Sequence, residues 1–466
     1  MFQRAKILCT VGPTSETPEV LQGMLEAGMD AVRINTSHGD FDSYRRTINS
    51  VRRLANLPII LDTQGPKIRL RMVRELEVNA GDRLSVGFES TDEFRLDANV
   101  YEPLSVGDRA LIDDGALEAK IEAKAAGRIQ FRFINGGRLT SGRAVNFPKK
   151  RLPLEPLTAK DRQTLAFARE MDVDFIALSF TRGVEDLRAC REPLEDSPVK
   201  VIAKIENQEG IDHFQSILEN ADGIMIARGD MGVELDPEEI PILQKRLIHD
   251  CNQAGKVVIT ATQMLQSMIS NPRPTRAETS DVANAILDGS DVVMLSGETA
   301  NGCYPVEAVR MMARIAAYTE KFVKIGYPVL PGLGMERAIC DSIRSICEAA
   351  EVSKIVSITR RGNTAKLISR LRLQPEIIAL TANERTFREM HLYYGVMPVM
   401  CDLVPGPITT AQAGMYLFRQ GLLREEDWVL FVSGEFQPQS YTTNTIQVIR
   451  MGELADYCNQ NGSLCE

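Results

Sequence analysis

The first 300 residues are punctuated by short apolar runs, each closed by a polar or glycine-containing segment. The runs are Lys6–Thr10, Ala31–Asn35, Pro58–Asp62, Phe175–Ser179, Lys200–Lys204, Gly223–Arg228, Lys256–Thr260 and Asp291–Ser296. Near-continuous β-branched or aliphatic runs of this length suit parallel strands buried on both faces. Helical periodicity fills most of the gaps, as from Pro18 to Ala27 and from Pro237 to Ala254. Eight strands alternating with helices predict an α/β fold of the (β/α)8 TIM-barrel class.

The third and fourth runs are too far apart for a single helix. Between about Leu70 and Phe147 the pattern changes to a period of two, seen from Leu117 to Lys124 and from Gly127 to Phe133. Turn clusters at Asn79–Asp82, Gly107–Asp108, Asp113–Gly115 and Asn135–Gly137 punctuate it. This predicts a small antiparallel β domain, a β-barrel lid over residues 70–147, inserted into a barrel made of residues 1–69 and 148–327. A Pro/Gly-rich stretch from Tyr327 to Gly334 reads as a linker. Beyond it a helix from about Glu336 and strands at Lys354–Thr359, Glu376–Thr381, Val396–Cys401 and Trp428–Ser433 predict a C-terminal α/β domain over residues 335–466.

Composition narrows the function classes. At 466 residues, 44% hydrophobic and 25% charged, the chain is globular and too long for one ordinary domain. The formal net charge of −9 argues against a broad nucleic-acid surface. The opening MFQRAKILCTVG lacks the charged head and apolar run of a secretory signal, and no run of about 18 apolar residues offers a membrane span. The nine cysteines form no CxxC and the four histidines do not cluster. The expectation is reduced thiols in the cytoplasm and no zinc centre.

A β/α barrel builds its active site at the carboxyl ends of its strands. Following the runs to their ends collects Arg33, Asn35 and Ser37; Asp62, Thr63 and Arg69; Ser179; Lys204 and Glu206; Arg228 and Asp230; Thr260 and Thr262; and Glu298. Any one of these charges also reads as a strand end in solvent. As a set they are hard oxygen donors and cations. Glu206 and Asp230 follow adjacent strands, so their carboxylates can share one magnesium ion, which prefers few carboxylates plus substrate oxygens and water. Lys204, two residues before Glu206, lies on the same strand face. A lysine beside a metal suits the neutralisation of a transferring phosphoryl group. Neither G-x-x-x-x-G-K-[ST] nor a strand-borne G-x-G-x-x-G occurs, so any nucleotide is bound by another device.

Several long segments resemble motifs of the pyruvate kinase family, in the right order and across essentially the whole chain. They are Arg33–Gly39 (RINTSHG), Leu61–Arg69 (LDTQGPKIR), Ala203–Asn207 (AKIEN), Ile226–Glu234 (IARGDMGVE), Thr260–Met268 (TATQMLQSM), Asn271–Asp281 (NPRPTRAETSD) and Leu295–Ala300 (LSGETA). The resemblance implies transfer of a phosphoryl group from phosphoenolpyruvate to ADP, giving pyruvate and ATP in the last step of glycolysis. It implies that Lys204 and Arg33 stabilise the transferring group and that Glu206 and Asp230 hold Mg2+, with Mn2+ as a substitute. Gly229, Asp230 and Thr262 would receive the substrate carboxylate, and the Thr262 hydroxyl would lie on the route that protonates the enolate. Asn35, His38, Arg69, Arg143 and Asp113 match nucleotide contacts; His38 reads equally as ordering its own loop, and Asp113 as a turn residue. The family's potassium ligands match Asn35, Ser37, Asp62 and Thr63. The usual lysine and glutamate of that loop are here Gln64 and Lys67, and a lysine at 67 implies that potassium is not required, unless Lys67 points to solvent or pairs with a lid carboxylate. Thr359, Arg360, Arg361, Gly362, Asn363 and Thr364 resemble the effector phosphate loop. Gly434–Tyr441 lacks basic residues for a second phosphate, which implies a sugar monophosphate or nucleotide effector rather than fructose 1,6-bisphosphate. Family members are typically homotetramers. The competing readings are a magnesium-dependent barrel lyase or mutase acting on pyruvate-like substrates, and a non-catalytic metabolite sensor.

Overall fold

The structure, a computed structural model, describes residues 3–323, 334–402, 409–434 and 443–461. The expected linker up to residue 333 and most of the Gly434–Tyr441 segment lie outside the described residues.

Eight parallel strands close into a barrel: Lys6–Thr10, Ala31–Asn35, Ile59–Asp62, Phe175–Leu178, Lys200–Ile205, Gly223–Ala227, Val257–Ala261 and Val292–Leu295. They match the eight apolar runs to within a residue or so. The period of two explains why each run had to be apolar throughout. Leu8, Ala31, Ile60, Ala177, Ile202, Met225, Ile259 and Met294 fill the interior. Their strand neighbours Ile7, Val32, Ile59, Ile176, Val201, Ile224, Val258 and Val293 pack outward under the helices. The helix expected from Pro237 begins at Ile240, because Pro241 sits in its first turn, where a missing N–H costs nothing.

The insertion is antiparallel, as expected, and wraps its own apolar core around Phe131, Phe133 and Phe147. Its ladders do not close into a continuous barrel. They form a five-stranded sheet, ordered Val145–Asn146, Arg109–Ile112, Leu117–Ala125, Arg128–Phe133 and Arg83–Val86, and two separate two-stranded ladders. The C-terminal domain carries the four expected parallel strands and a fifth, Thr445–Arg450, antiparallel to Trp428–Ser433. That edge strand was missed; none of its side chains is fully buried, so its apolar signal is weak.

The C-terminal domain docks on the base of the barrel through ion pairs. Arg388 reaches Asp174 at 2.6 Å, Arg372 reaches Asp291 at 2.7 Å, and Lys200 pairs with Glu389. Among the described residues seven cysteines are free thiols. Cys458, in the last helix, is disulfide-bonded, which corrects the expectation of reduced thiols throughout.

Candidate active site

The interior face of the barrel turns polar at its carboxyl end. Residues that continue the inward parity beyond the apolar layer are Thr10, Arg33, Asp62, Ser179, Lys204 and Glu206, all buried. The strand Lys200–Ile205 places Ile202 in the core and Lys204 and Glu206 above it on the same face.

These groups form one network. Arg33 Nε donates to Asp62 Oδ2 at 2.6 Å and Arg33 Nη1 to Thr10 Oγ1 at 2.9 Å. Lys204 Nζ donates to Asp62 Oδ1 at 2.9 Å and to Ser179 Oγ at 2.7 Å, and lies 2.9 Å from Glu206 Oε1. Burial alone would push the Lys204 ammonium down, but Asp62 and Glu206 outweigh it and hold the pKa above the ordinary lysine value. Burial would likewise raise Asp62, yet Arg33 and Lys204 hold it below the usual carboxylate range. Glu206 goes the other way: burial pushes it up, Lys204 opposes, and Asp230 and Asp62 add to the rise.

Glu206 and Asp230 test the metal reading. Glu206 Oε2 is fixed by the Phe180 N–H at 2.6 Å. Its Oε1 is buried, facing Lys204 without a hydrogen bond of proper alignment. Among the described residues no group of three His, Cys, Asp or Glu side chains is poised around a metal. A buried carboxylate with an open oxygen beside a second carboxylate is the donor set that magnesium uses when substrate and water supply the rest. The residues fit the ion.

Lys67 comes to this side of the mouth. Its ammonium is 2.9 Å from Asp230 Oδ1 and 5.1 Å from the centre of the Phe180 ring. Among the described residues it makes no hydrogen bond to Asn35, Ser37, Asp62 or Thr63. Asp230 lies in a short helix, Arg228–Glu234, that begins at the mouth as expected. The Gly229 N–H donates to Thr262 Oγ1 at 2.7 Å. Thr262 and Gln263 have φ of 69° and 56°, and Phe180 has 55°. Positive φ at a β-branched threonine is strained, and strain of this kind gathers at functional sites.

The predicted nucleotide contacts fall into two groups. Arg143 pairs with Asp113 at 2.9 Å, and Arg69 Nη1 donates to the Gly142 carbonyl at 2.8 Å, all at the root of the insertion. Asn35 accepts from the Ser37 N–H at 3.1 Å, and His38 is exposed on the same barrel loop. Among the described residues no hydrogen bond or ion pair joins the two groups. Thr260 and Glu298, gathered from strand ends, have structural partners instead. Thr260 Oγ1 meets Ser290 Oγ at 2.7 Å, and Glu298 accepts from the Leu265 and Ser296 N–H groups. Two residues were missed: Thr10, which holds Arg33, and buried Asp161, whose Oδ1 accepts from the Gln64 N–H at 2.9 Å and steadies the Asp62–Lys67 loop. Thr10 ends the first strand and was open to the same strand-end reading. Asp161 lies in a helix and gave no signal.

Known proteins match along the chain. The family described as "Pyruvate kinase, barrel domain" matches residues 2–309, and "Pyruvate kinase, alpha/beta domain" matches residues 337–449. A pyruvate kinase of Sporosarcina psychrophila is 39% identical over 478 residues, covering 97% of this chain and 81% of the relative. One from Staphylococcus aureus (strain MRSA252) is 39% identical over 480 residues with the same coverage. The crystal structure of a pyruvate kinase from Cryptosporidium parvum superposes with a TM-score of 0.90 at 35% identity, over 96% of both chains.

Proposed function

Because this chain belongs to the pyruvate kinase family, whose members move a phosphoryl group from phosphoenolpyruvate to ADP, we propose that the buried Arg33–Asp62–Lys204–Glu206 network is the centre of that transfer. The observation that carries this reading is Lys204: a buried ammonium, kept charged by Asp62 and Glu206, at the mouth of the barrel. Arg33 and Lys204 face the transferring group, and because Asp62 holds both cations in place, they need no reorganisation as charge develops. Glu206 and Asp230 would hold magnesium, which would supply positive charge to offset that of the substrate phosphoryl group. The Gly229 N–H, now given to Thr262 Oγ1, turns to the substrate carboxylate, as does the Asp230 N–H. The Thr262 hydroxyl then relays a proton from solvent water to the enolate, taking one proton as it gives one, and pyruvate results.

Asn35, His38, Arg69, Arg143 and Asp113 become nucleotide contacts when the insertion closes over the mouth; the Asp113–Arg143 pair at the insertion's root supports a common role. Lys67 supplies the positive charge that potassium otherwise brings, so the rate is independent of potassium. The loop Thr359–Thr364 takes an effector monophosphate; the Gly362 N–H donates to Thr359 Oγ1 at 3.0 Å and closes the loop on itself. A homotetramer fits the exposed apolar face around Tyr318, Phe322 and Leu287. Among the described residues no helix is long and apolar enough to cross a membrane, and a cytoplasmic enzyme is the reading that suits its free thiols.

The deciding experiment is coupled ATP formation from phosphoenolpyruvate and ADP with Mg2+, with panels of monovalent cations and of sugar phosphates. No ATP formed under any of these conditions overturns the assignment. Strong activation by fructose 1,6-bisphosphate and none by monophosphates overturns the effector reading alone.

A further inference from the structure

Strands Gly223–Ala227 and Val257–Ala261 run side by side and end in register, with Ala227 opposite Ala261. The residues just beyond them, Arg228–Gly229 and Thr262–Gln263, therefore meet at the mouth. Thr262 and Gln263 take φ of 69° and 56° in succession, and a β-branched residue stays in the left-handed region only where its surroundings hold it there. Two consecutive residues grip Thr262 from opposite ends. The Gly229 N–H donates to its hydroxyl oxygen at 2.7 Å, and Arg228 Nη2 donates to its carbonyl at 2.8 Å. The hydroxyl donates in turn to the Ala261 carbonyl at 2.6 Å.

Arg228 is itself immobilised. It is buried, and its Nη1 donates to Asp281 Oδ1 at 2.7 Å, in the helix Arg276–Asp288. Nη1 also donates to Gln244 Oε1 at 3.2 Å, in the helix Ile240–Ala254, and Nη2 lies 2.8 Å from Met264 Sδ. Gln244 is fixed in turn by donating to Asp288 Oδ2 at 3.1 Å. The guanidinium thus ties two helices of the outer ring to one carbonyl at the mouth. A planar fork does this with separate nitrogens, whereas a lysine offers only one. Both terminal nitrogens are spent on these partners, so Arg228 does not face the substrate.

The two grips differ in what the reaction does to them. Receiving the substrate carboxylate takes the Gly229 N–H away from Thr262 Oγ1, while the Arg228 contact is to the backbone carbonyl and stays. We propose that Arg228 is a positioning residue for proton transfer: it holds the Thr262 carbonyl, and so fixes where the Thr262 hydroxyl stands once the Gly229 N–H has turned to substrate. This role rests on Thr262 serving as the proton relay. In that step a C–H bond forms at the enolate methylene as the Thr262 O–H bond breaks, and water returns a proton to the oxygen. In reverse, a methyl C–H bond of pyruvate breaks and its proton leaves for solvent by the same route.

The test follows exchange of the pyruvate methyl protons for deuterium by NMR, with enzyme, Mg2+ and ATP in heavy water, beside kcat and KM from coupled ATP formation. It compares wild type, Arg228→Lys, Thr262→Val and the double variant. Arg228→Lys keeps the buried charge and loses only the fork. Misplacing a reacting group by about 1 Å can cost on the order of 10²-fold, so Arg228→Lys should slow exchange at least tenfold, with KM for phosphoenolpyruvate within threefold of wild type. The double variant should exchange no more slowly than Thr262→Val alone, because Arg228 acts only through Thr262. Asp281, whose side chain is 36% exposed, tethers Arg228 from the outside, and Asp281→Asn should slow exchange at least threefold. It decides the matter if circular dichroism shows that Arg228→Lys does not fold. Wild-type exchange in folded Arg228→Lys, or in Asp281→Asn where the lysine variant fails to fold, overturns the positioning role and leaves the Thr262 relay standing. Losses that simply multiply in the double variant overturn it too. Wild-type exchange in Thr262→Val removes the relay itself, and the role of Arg228 with it.

Discussion

Replacing Lys204 by methionine keeps the side chain's length and removes the one charge that two buried carboxylates share. Asp62 and Glu206, 1% and 0% exposed, would then face each other with only Arg33 as counter-charge. Removing one partner of a buried ion pair typically costs about 3–5 kcal/mol, because the other charge stays behind. Glu206, already pushed up by burial, will take a proton instead, so the observed loss should fall at or below the low end of that range. Magnesium offsets the same negative charge, so the Tm gap between variant and wild type should narrow when Mg2+ is added. Catalysis should suffer more than folding. One preorganised charge donor is worth about 10²–10³ in kcat, or roughly 3–4 kcal/mol. The KM for phosphoenolpyruvate should move only a few-fold, because Arg33, on the proposed reading, would still face the phosphoryl group. The assays are kcat and KM from coupled ATP formation and Tm with and without Mg2+. A kcat within threefold of wild type refutes the role of Lys204. A large rise in KM at unchanged kcat would reduce it to a ground-state binding group.

Glu206→Gln should raise the Mg2+ concentration for half-maximal rate at least tenfold, since even outer-shell changes at metal sites cost about 10–100-fold in affinity; an unchanged Mg2+ titration removes Glu206 from the metal. Gly65→Ala should destabilise by about 1–3 kcal/mol and lower kcat. Gly65 has φ of 69°, and a Cβ there would lie 2.6 Å from Phe180 Cδ2 and 2.8 Å from Ser179 Cβ, displacing the hydroxyl that Lys204 bonds; wild-type Tm and kcat would contradict this. Lys366 binds its proton less tightly folded, at about 8, than unfolded, near 10.5, so the unfolded chain holds more protons between those values and stability should rise with pH across that window. The groups facing Lys366 there are Lys256, Lys200, Arg370, Arg372, Asp222, Asp291 and Tyr393. Lys366→Met should flatten the rise and stabilise the protein at pH 7 by on the order of 1 kcal/mol; denaturant titrations at pH 7 and 9.5 that show no difference between the two proteins would remove this penalty.

The barrel was legible because parallel strands buried on both faces leave long apolar runs, and because chemistry sits where those runs end. That rule delivered Arg33, Asp62, Ser179, Lys204 and Glu206 from one feature. It does not separate out strand ends that answer a structural need, as at Thr260, bonded to Ser290, and Glu298, which accepts from Leu265 and its near neighbour Ser296. It also failed where the partner lies in a helix: Asp161 steadies the Asp62–Lys67 loop across 97 residues of sequence. The cations gathered at the contact between barrel and C-terminal domain were invisible for the same reason. Lys256 and Lys366 are ordinary surface residues in sequence, and only the docking of two domains turns their charges into a cluster. The edge strand Thr445–Arg450 shows the opposite limit, since a strand whose Ile446 and Ile449 are only partly covered leaves little apolar trace.

The potassium question turns on charge balance at the mouth. Arg33, Lys67 and Lys204 face Asp62, Glu206 and Asp230 in ion pairs of 2.6 to 2.9 Å, so cations and carboxylates are equal in number. Glutamate at position 67 would convert that balance to two cations against four carboxylates, a change of two charges, and a site so negative needs an added monovalent cation before it can accept an anionic substrate. On the proposed reading, lysine would remove the need without standing on the matched potassium ligands themselves. Its ammonium lies at Asp230, and it would act through the field of the whole mouth. At an effective dielectric near 20, a unit charge still contributes about 2 kcal/mol at roughly 8 Å, enough for a tenfold or larger effect on substrate binding. The wild type should therefore run at nearly full rate in potassium-free tetramethylammonium buffer, and Lys67→Glu should acquire a potassium requirement. A wild-type rate that rises tenfold or more on adding potassium chloride at matched ionic strength would show that charge at position 67 does not substitute for the ion. A Lys67→Gln protein equally independent of potassium would show that the site never needed the charge at all.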